Sequence, residues 1–267
     1  MNVGSKVMMA LLVALVWSCA SGGDIAEDSE SAEEKARWQN PQTPGEELAA
    51  EVFKAHGGAG WEQVQKMSFR FVLVGGGERV FEAEHHWDVR EGLNRVIWED
   101  EDGRWDVVVN LETKVAVEGT LNGEEFKGDE RMKGGRRAHR RWINDSYWLL
   151  MPIKMLDDGV KPVDEPRVKV DEEWVDVVLL TFEAVGLTPD DRYWVYIDPE
   201  SRQILGWDMV LEDGHREEPR FIRWSSYQEF GPLLLPTERH WRDGDRSILF
   251  EDVDVEFDSN IEAHSEQ

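Results

Sequence analysis

Asp191-Arg192-Tyr193-Trp194-Val195-Tyr196-Ile197, then Asp198-Pro199-Glu200-Ser201-Arg202, then Gln203-Ile204-Leu205-Gly206-Trp207-Asp208-Met209-Val210-Leu211: two β-branched and aromatic runs flank a cluster of turn formers. The pattern predicts an antiparallel hairpin. Side chains alternate across a strand, so Tyr193, Val195 and Ile197 share one face and Arg192, Trp194 and Tyr196 the other. Both faces carry large apolar groups. A sheet apolar on both faces needs cover on both, or a ligand on one. The second face is where a binding function is expected.

Outward from this hairpin, short alternating runs recur. Residues 67–74, 78–88, 93–99, 104–110 and 113–118 read as strands, with 121–126 as a short edge; 167–170 and 173–182 follow, and after the hairpin come 219–227, 233–241 and 247–257. Gly75-Gly76-Gly77, Glu91-Gly92 and Asp102-Gly103 mark turns. In the last run Leu249, Val253, Val255 and Phe257 alternate with Asp252, Asp254, Glu256 and Asp258, one dry face and one wet. Short strands at this spacing predict a meander curling towards a barrel or half-barrel.

Two stretches break the alternation. Thr43-Pro44-Gly45-Glu46 has the cap, the first-position proline and the acid of a helix start, and Gly57-Gly58 ends that helix. From Gly134-Gly135 a second helix leads through Arg136 to Pro152, which is expected to break or kink it. Ala138, Trp142 and Leu149 lie on one stripe, with Ile143, Tyr147 and Leu150 beside it. Trp142, Tyr147, Trp148 and Leu150 either plug the half-barrel where a ligand lines or displaces them, or are plain core. Arg136, Arg137, Arg140 and Arg141 form a dense basic cluster at the helix start, where the macrodipole is already positive. They bind a phosphate headgroup or an acidic partner, or pair with nearby carboxylates.

Acidic residues outnumber basic ones 56 to 30, for a net charge of −26, which sets nucleic-acid binding aside. The 13 tryptophans suit a wide core or an apolar cavity. The one cysteine, Cys19, excludes an intrachain disulfide and any multi-cysteine metal site. Residues 1–18 read as a signal peptide, with a short apolar run after Lys6. Val16-Trp17-Ser18-Cys19 resembles the bacterial lipobox, whose cysteine becomes the acylated first residue; the alternative is ordinary secretion with a stray cysteine. Ala20 after the cysteine implies, by the same resemblance, the periplasmic face of the outer membrane. Residues 19–42 are then an acidic, disordered tether and 259–267 a disordered tail, with one domain over 43–258. Oligomeric state is not legible.

Ala55-His56-Gly57-Gly58 with Trp61, Val64 and Phe69/Phe71, then Tyr147-Trp148-Leu149-Leu150-Met151-Pro152 and Tyr196-Ile197-Asp198-Pro199-Glu200, resemble an uncharacterised group of bacterial envelope lipoproteins. The order helix, meander, helical insert, second meander resembles the LolA/LolB-like lipoprotein carriers over roughly Glu46 to Phe257. The resemblance implies a mainly β chain with helices (α+β): a curved antiparallel sheet of about eleven strands in an unclosed half-barrel, its concave face covered by helices. In those carriers the concavity accepts acyl chains.

Catalytic signatures are missing from the sequence: no Gly-x-Ser-x-Gly elbow, no Walker loop, no dinucleotide fingerprint. No two histidines stand i, i+4 on a helix, and His85-His86 point to opposite faces, so neither metal nor cofactor is expected. The expected function is non-catalytic binding of an acyl-bearing or other apolar ligand by Trp142, Tyr147, Trp148, Leu150, Met151, Trp194 and Trp207. Envelope scaffolding through protein contacts is the alternative, and an esterase-like hydrolase a distant one.

Overall fold

The computed structural model describes residues 36–183, 190–210, 220–242 and 244–258. The expected signal peptide, Cys19 and the tail at 259–267 lie outside the described residues. Helices α1 (Pro44–Ala55) and α2 (Glu130–Lys154) accompany strands β1 (Val64–Gly75), β2 (Glu78–Asp88), β3 (Leu93–Asp100), β4 (Gly103–Asn110), β5 (Ala116–Leu121), β6 (Glu124–Glu125), β7 (Val160–Val170), β8 (Glu173–Phe182), β9 (Arg192–Ile197), β10 (Ile204–Val210), β11 (Arg220–Phe230), β12 (Leu233–Trp241) and β13 (Ser247–Phe257). All 13 strands form one antiparallel sheet in the order β6-β5-β4-β3-β2-β1-β13-β12-β11-β10-β9-β8-β7. β6 and β7 are opposite edges and do not pair with each other, so the sheet is an unclosed barrel.

The strand count exceeds the expectation of about eleven, and two boundaries move for physical reasons. β7 starts at Val160 rather than near Arg167, running through Pro162 and Pro166. A proline is tolerated there because β7 is an edge strand, whose outward N–H groups have no ladder partner to lose. The run at 121–126 is split by Asn122-Gly123, whose φ values of 54° and 81° make a tight hairpin between β5 and β6.

α2 is the return path from one edge to the other. Its 25 residues span about 37 Å, whereas thirteen strands laid flat would separate the edges by about 58 Å. The curl of the sheet and the connections at 126–129 and 155–159 make up the difference. α2 packs against β3, β4, β5 and β12, and α1 against β7, β8 and α2. The core accordingly has two parts. Ala138 meets Trp98, Trp105, Val107 and Ala116 under the first half of the helix. Leu149, Leu150, Met151 and Ile153 meet Phe69, Val195, Trp207, Leu235 and Phe250 under the second.

The helix begins at Glu130, ahead of the glycines read as its lead-in. Gly134 and Gly135 sit inside it because side chains would not fit: a Cβ on Gly135 would come within 2.4 Å of Ala116 N, and one on Gly134 within 2.5 Å of the Phe126 ring. Pro152 does not end the helix, which runs to Lys154.

Part of the stretch assigned to the tether is docked. Arg37–Gln39 forms a 3-10 turn. Arg37 donates to the carbonyls of Leu156, Asp157 and Val160, each at 3.1 Å, and to Glu46 at 2.6 Å. Trp38 stacks on Phe53 at 5.3 Å. These carbonyls belong to the turn after α2 and the start of β7, so Arg37 ties the first residues of the domain to that connection.

α1 starts as its sequence predicts, with Thr43 Oγ1 accepting from Glu46 N at 3.2 Å. It ends at His56, which is fully buried and shares a 2.8 Å hydrogen bond between Nδ1 and the Val52 carbonyl. Burial pushes the His56 pKa down from 6.5 to about 4. Between those two values the unfolded chain takes up a proton that the folded chain refuses, so this contribution is intact above pH 6.5 and is lost as pH falls towards 4. The shift corresponds to about 3 kcal/mol. His56→Phe should reduce, by that order, the stability lost between pH 7 and pH 4 in urea unfolding. An unchanged loss would show that His56 is protonated freely in the folded state.

Candidate functional site

The hairpin of β9 and β10 decides which residues reach the hollow. Trp207 stands opposite Val195 and Asp208 opposite Trp194. Directly opposed residues share a face, so Trp207 lies with Tyr193, Val195 and Ile197 under α2, while Trp194 lies on the outer face. There Trp194 is half-buried beside Arg192, whose guanidinium is 5.7 Å from the ring, and Tyr196 donates to Asp208 at 2.6 Å. Trp194 therefore leaves the set of residues that can line a common cavity. The signal was present in the sequence: Val195 and Ile197 mark the core face, and Arg192 marks the other.

α2 brings its side chains onto this floor. Tyr147 sits 6.4 Å from Trp207, 6.2 Å from Tyr193 and 6.3 Å from Phe182, ring to ring. Trp148 lies 4.8 Å from Trp207 and 5.9 Å from Trp241. Trp207 in turn meets Tyr193 at 4.5 Å and Trp224 at 5.0 Å. Leu150 and Met151 are buried below them. Trp142 belongs to a separate group with Trp87, at 5.2 Å, and His139, at 5.6 Å. Tyr193, Phe182, Trp224 and Trp241 complete the aromatic layer and were not singled out from the sequence.

Polar atoms in this seam are poorly matched. Trp87 Nε1, Trp142 Nε1, Tyr147 OH, Trp207 Nε1, Trp224 Nε1 and Arg239 Nε are buried without a hydrogen-bond partner in the protein. Burial pushes the Tyr147 and Tyr193 hydroxyls far above the usual tyrosine range. Tyr193 OH donates to Asp191 at 2.7 Å.

Arg239 of β12 is fully buried without a salt-bridge carboxylate among the described residues. Its guanidinium lies 3.7 Å over the Trp224 ring and donates to the carbonyls of Pro236 at 2.9 Å, Glu238 at 3.0 Å and Trp148. The last of these has a local cause. In a helix Trp148 C=O would accept from residue 152, and residue 152 is proline. Arg239 replaces the missing donor. Burial pushes its pKa down to about 9, which leaves it cationic at neutral pH.

A second buried network ties α2 to the sheet. Asp145 accepts from His85 Nε2 at 3.0 Å and from Asn144 Nδ2 at 2.8 Å, and Asn94 Nδ2 contacts His85 Nδ1 at 3.1 Å. His85 also stacks on Phe69 at 4.6 Å. Both ring nitrogens are thus occupied. Neighbouring Ser146 gives its hydroxyl to the Trp142 carbonyl at 2.6 Å, so His85 has no nucleophile to activate there.

Where α2 ends, a cavity of about 360 Å³ opens between it and the first residues of the domain. Trp38, Phe53, Trp61, Leu150, Ile153 and Leu156 form its wall, with Arg37, Glu62, Lys154, Asp157 and Asp158 also lining it. Its size falls within the range of small-molecule sites. Among the described residues, no three His, Cys, Asp or Glu side chains gather as metal ligands, and no helix is long and apolar enough to cross a membrane.

The four clustered arginines, Arg136, Arg137, Arg140 and Arg141, separate. Arg137 donates to Asp100 and to Asp102, each at 2.5 Å, and lies 4.7 Å over the Trp105 ring. Among the described residues Arg136 donates only to the Met132 carbonyl of its own helix, at 3.3 Å. Arg141 lies 3.9 Å over the Phe81 ring, and Arg140 is exposed.

No family model and no curated protein matches this chain. Solved structures similar to it include a LolA superfamily protein from Nitrosomonas europaea, with TM-score 0.47 and 9% identity over 78% of this chain and 93% of that one. A domain named for outer-membrane lipoprotein sorting, from Vibrio parahaemolyticus, has TM-score 0.41 and 11% identity over 79% and 91% of the two chains. A DUF1329 family protein from Desulfovibrio piger has TM-score 0.40 and 9% identity over 82% and 95%.

Proposed function

We propose that this chain is a non-catalytic envelope lipoprotein, anchored through Cys19, that takes an acyl-bearing or other apolar ligand between α2 and the concave face of its sheet. The observation that carries this reading is the set of six unmatched polar atoms in that seam: Trp87, Trp142, Tyr147, Trp207, Trp224 and Arg239. Each unmatched buried group costs about 1–3 kcal/mol. Phenylalanine in place of Tyr147, or apolar side chains packed in place of the indoles, would carry no such cost. Polar rings in an apolar layer suit a surface that is uncovered for part of its working cycle, when ligand or solvent reaches it. The 360 Å³ cavity at the end of α2 gives a way in, since Leu150 lines it and is continuous with the core beneath.

The test uses the Cys19→Ala chain, expected in the soluble fraction. Native mass spectrometry should find co-purified lipid, and a fluorescent fatty acid should bind after delipidation. Trp148→Asp, with a retained circular dichroism spectrum, should weaken that binding about tenfold or more. A lipid-free protein that refuses the probe would sink the reading in favour of a scaffolding role.

A further inference from the structure

A cleft of about 450 Å³ lies along the first half of α2, lined by Trp98, Asp100, Arg137, Arg140, Arg141 and Asn144. Its charges do not cancel. Asp100 and Asp102 are met by Arg137, and Asp102 also by Lys133 at 3.5 Å. Asp100 is further fixed in place: burial opposes its charge, but donors from Trp98, Trp105 and Asp102 N, together with Arg137, hold its pKa below the usual carboxylate value. Two carboxylates and two cations therefore balance. Arg140 and Arg141 remain, and neither makes a salt bridge or a side-chain hydrogen bond among the described residues. The Arg141 guanidinium lies over the Phe81 ring at 3.9 Å, a contact that uses its face and not its N–H fork. In a chain of net charge −26, two neighbouring arginines without carboxylates are conspicuous.

We propose that this cleft is a binding site for a phosphate group, gripped by Arg140 and Arg141, with Arg137 positioned by its carboxylates as one wall. Two uncompensated positive charges suffice to hold one phosphate group, and guanidinium forks suit its oxygens. A lipid headgroup and a free phosphate both carry this chemistry. Trp142, next to Arg141 in the chain, meets Trp87 at 5.2 Å, and Trp87 meets Trp61, in the wall of the apolar cavity, at 5.4 Å. That chain of ring contacts favours the headgroup of an acyl-bearing ligand, a choice that rests on the function proposed above.

The experiment is calorimetric titration of the folded Cys19→Ala chain at low salt with inorganic phosphate, lysophosphatidylglycerol and a monoacylglycerol of the same chain length. Arg140→Ala/Arg141→Ala should weaken phosphate binding about tenfold, and Arg140→Lys/Arg141→Lys should retain most of it. Lysophosphatidylglycerol should bind about tenfold tighter than the monoacylglycerol, an advantage that the alanine pair abolishes. Phosphate binding with no advantage for the charged lipid would assign the site to free phosphate. Phosphate that binds neither protein, or both equally, would overturn the site. Loss of monoacylglycerol binding alone would sink the apolar-ligand reading and leave the phosphate site standing.

Discussion

Asp145→Ala is expected to remove about 3–5 kcal/mol of folding stability, measured by equilibrium urea unfolding. Asp145 has no solvent exposure, and neither has His85 or Asn94. Its carboxylate joins α2 to β2 through His85, and His85 joins β2 to β3 through Asn94. Alanine would leave His85 Nε2 facing a space that water cannot easily reach, so it loses a partner and gains none, whereas the exposed Asn144 amide can turn to solvent. His85→Ala should cost a similar amount. The double variant should cost at least about 1 kcal/mol less than the sum, because each change strands the same bond. A loss below about 1 kcal/mol for Asp145→Ala would mean that the network is relieved by rearrangement and does not fasten the helix.

The second large effect concerns the bond between β12 and the proline in α2. Arg239→Ala should cost about 3 kcal/mol, since it opens a cavity and strands the carbonyls of Trp148, Pro236 and Glu238. Pro152→Ala restores the N–H that Trp148 C=O would receive in an unbroken helix. In the Arg239→Ala background it should therefore recover about 1 kcal/mol, and more than it contributes to the wild-type chain. Strict additivity of the two changes would show that the arginine does not stand in for the missing donor to Trp148.

Local features were readable and distant ones were not. Thr43 and Pro44 announced α1, and alternation located most strands, because caps and pleats act over a few residues. β7 was underestimated because Pro162 and Pro166 exclude a central strand but not an edge, and position in a sheet is not written locally. The apolar character of both hairpin faces draws Trp194 into the binding set, although the parity of Val195 and Ile197 puts it outside. Arg239 gave no sign at all. Its partners are an aromatic ring 15 positions earlier in the chain and a carbonyl 91 positions away. The arginine cluster was visible, yet only tertiary contacts separate Arg137, which is neutralised, from Arg140 and Arg141, which are not.

The pairing of β1 with β13 has a consequence for how the molecule is made. Gln65 and Asp258, 193 positions apart, meet at 3.5 Å, and Asp258 N donates to Gln63 O at 2.8 Å. Each half of the sheet is built from neighbouring hairpins and can assemble early, but the stitch between the halves waits for the end of the chain. During folding the first half would have to wait with its β1 border bare, a sticky margin until the closing ribbon arrives. Loss of only the last dozen residues of the domain would leave two half-sheets with no shared seam.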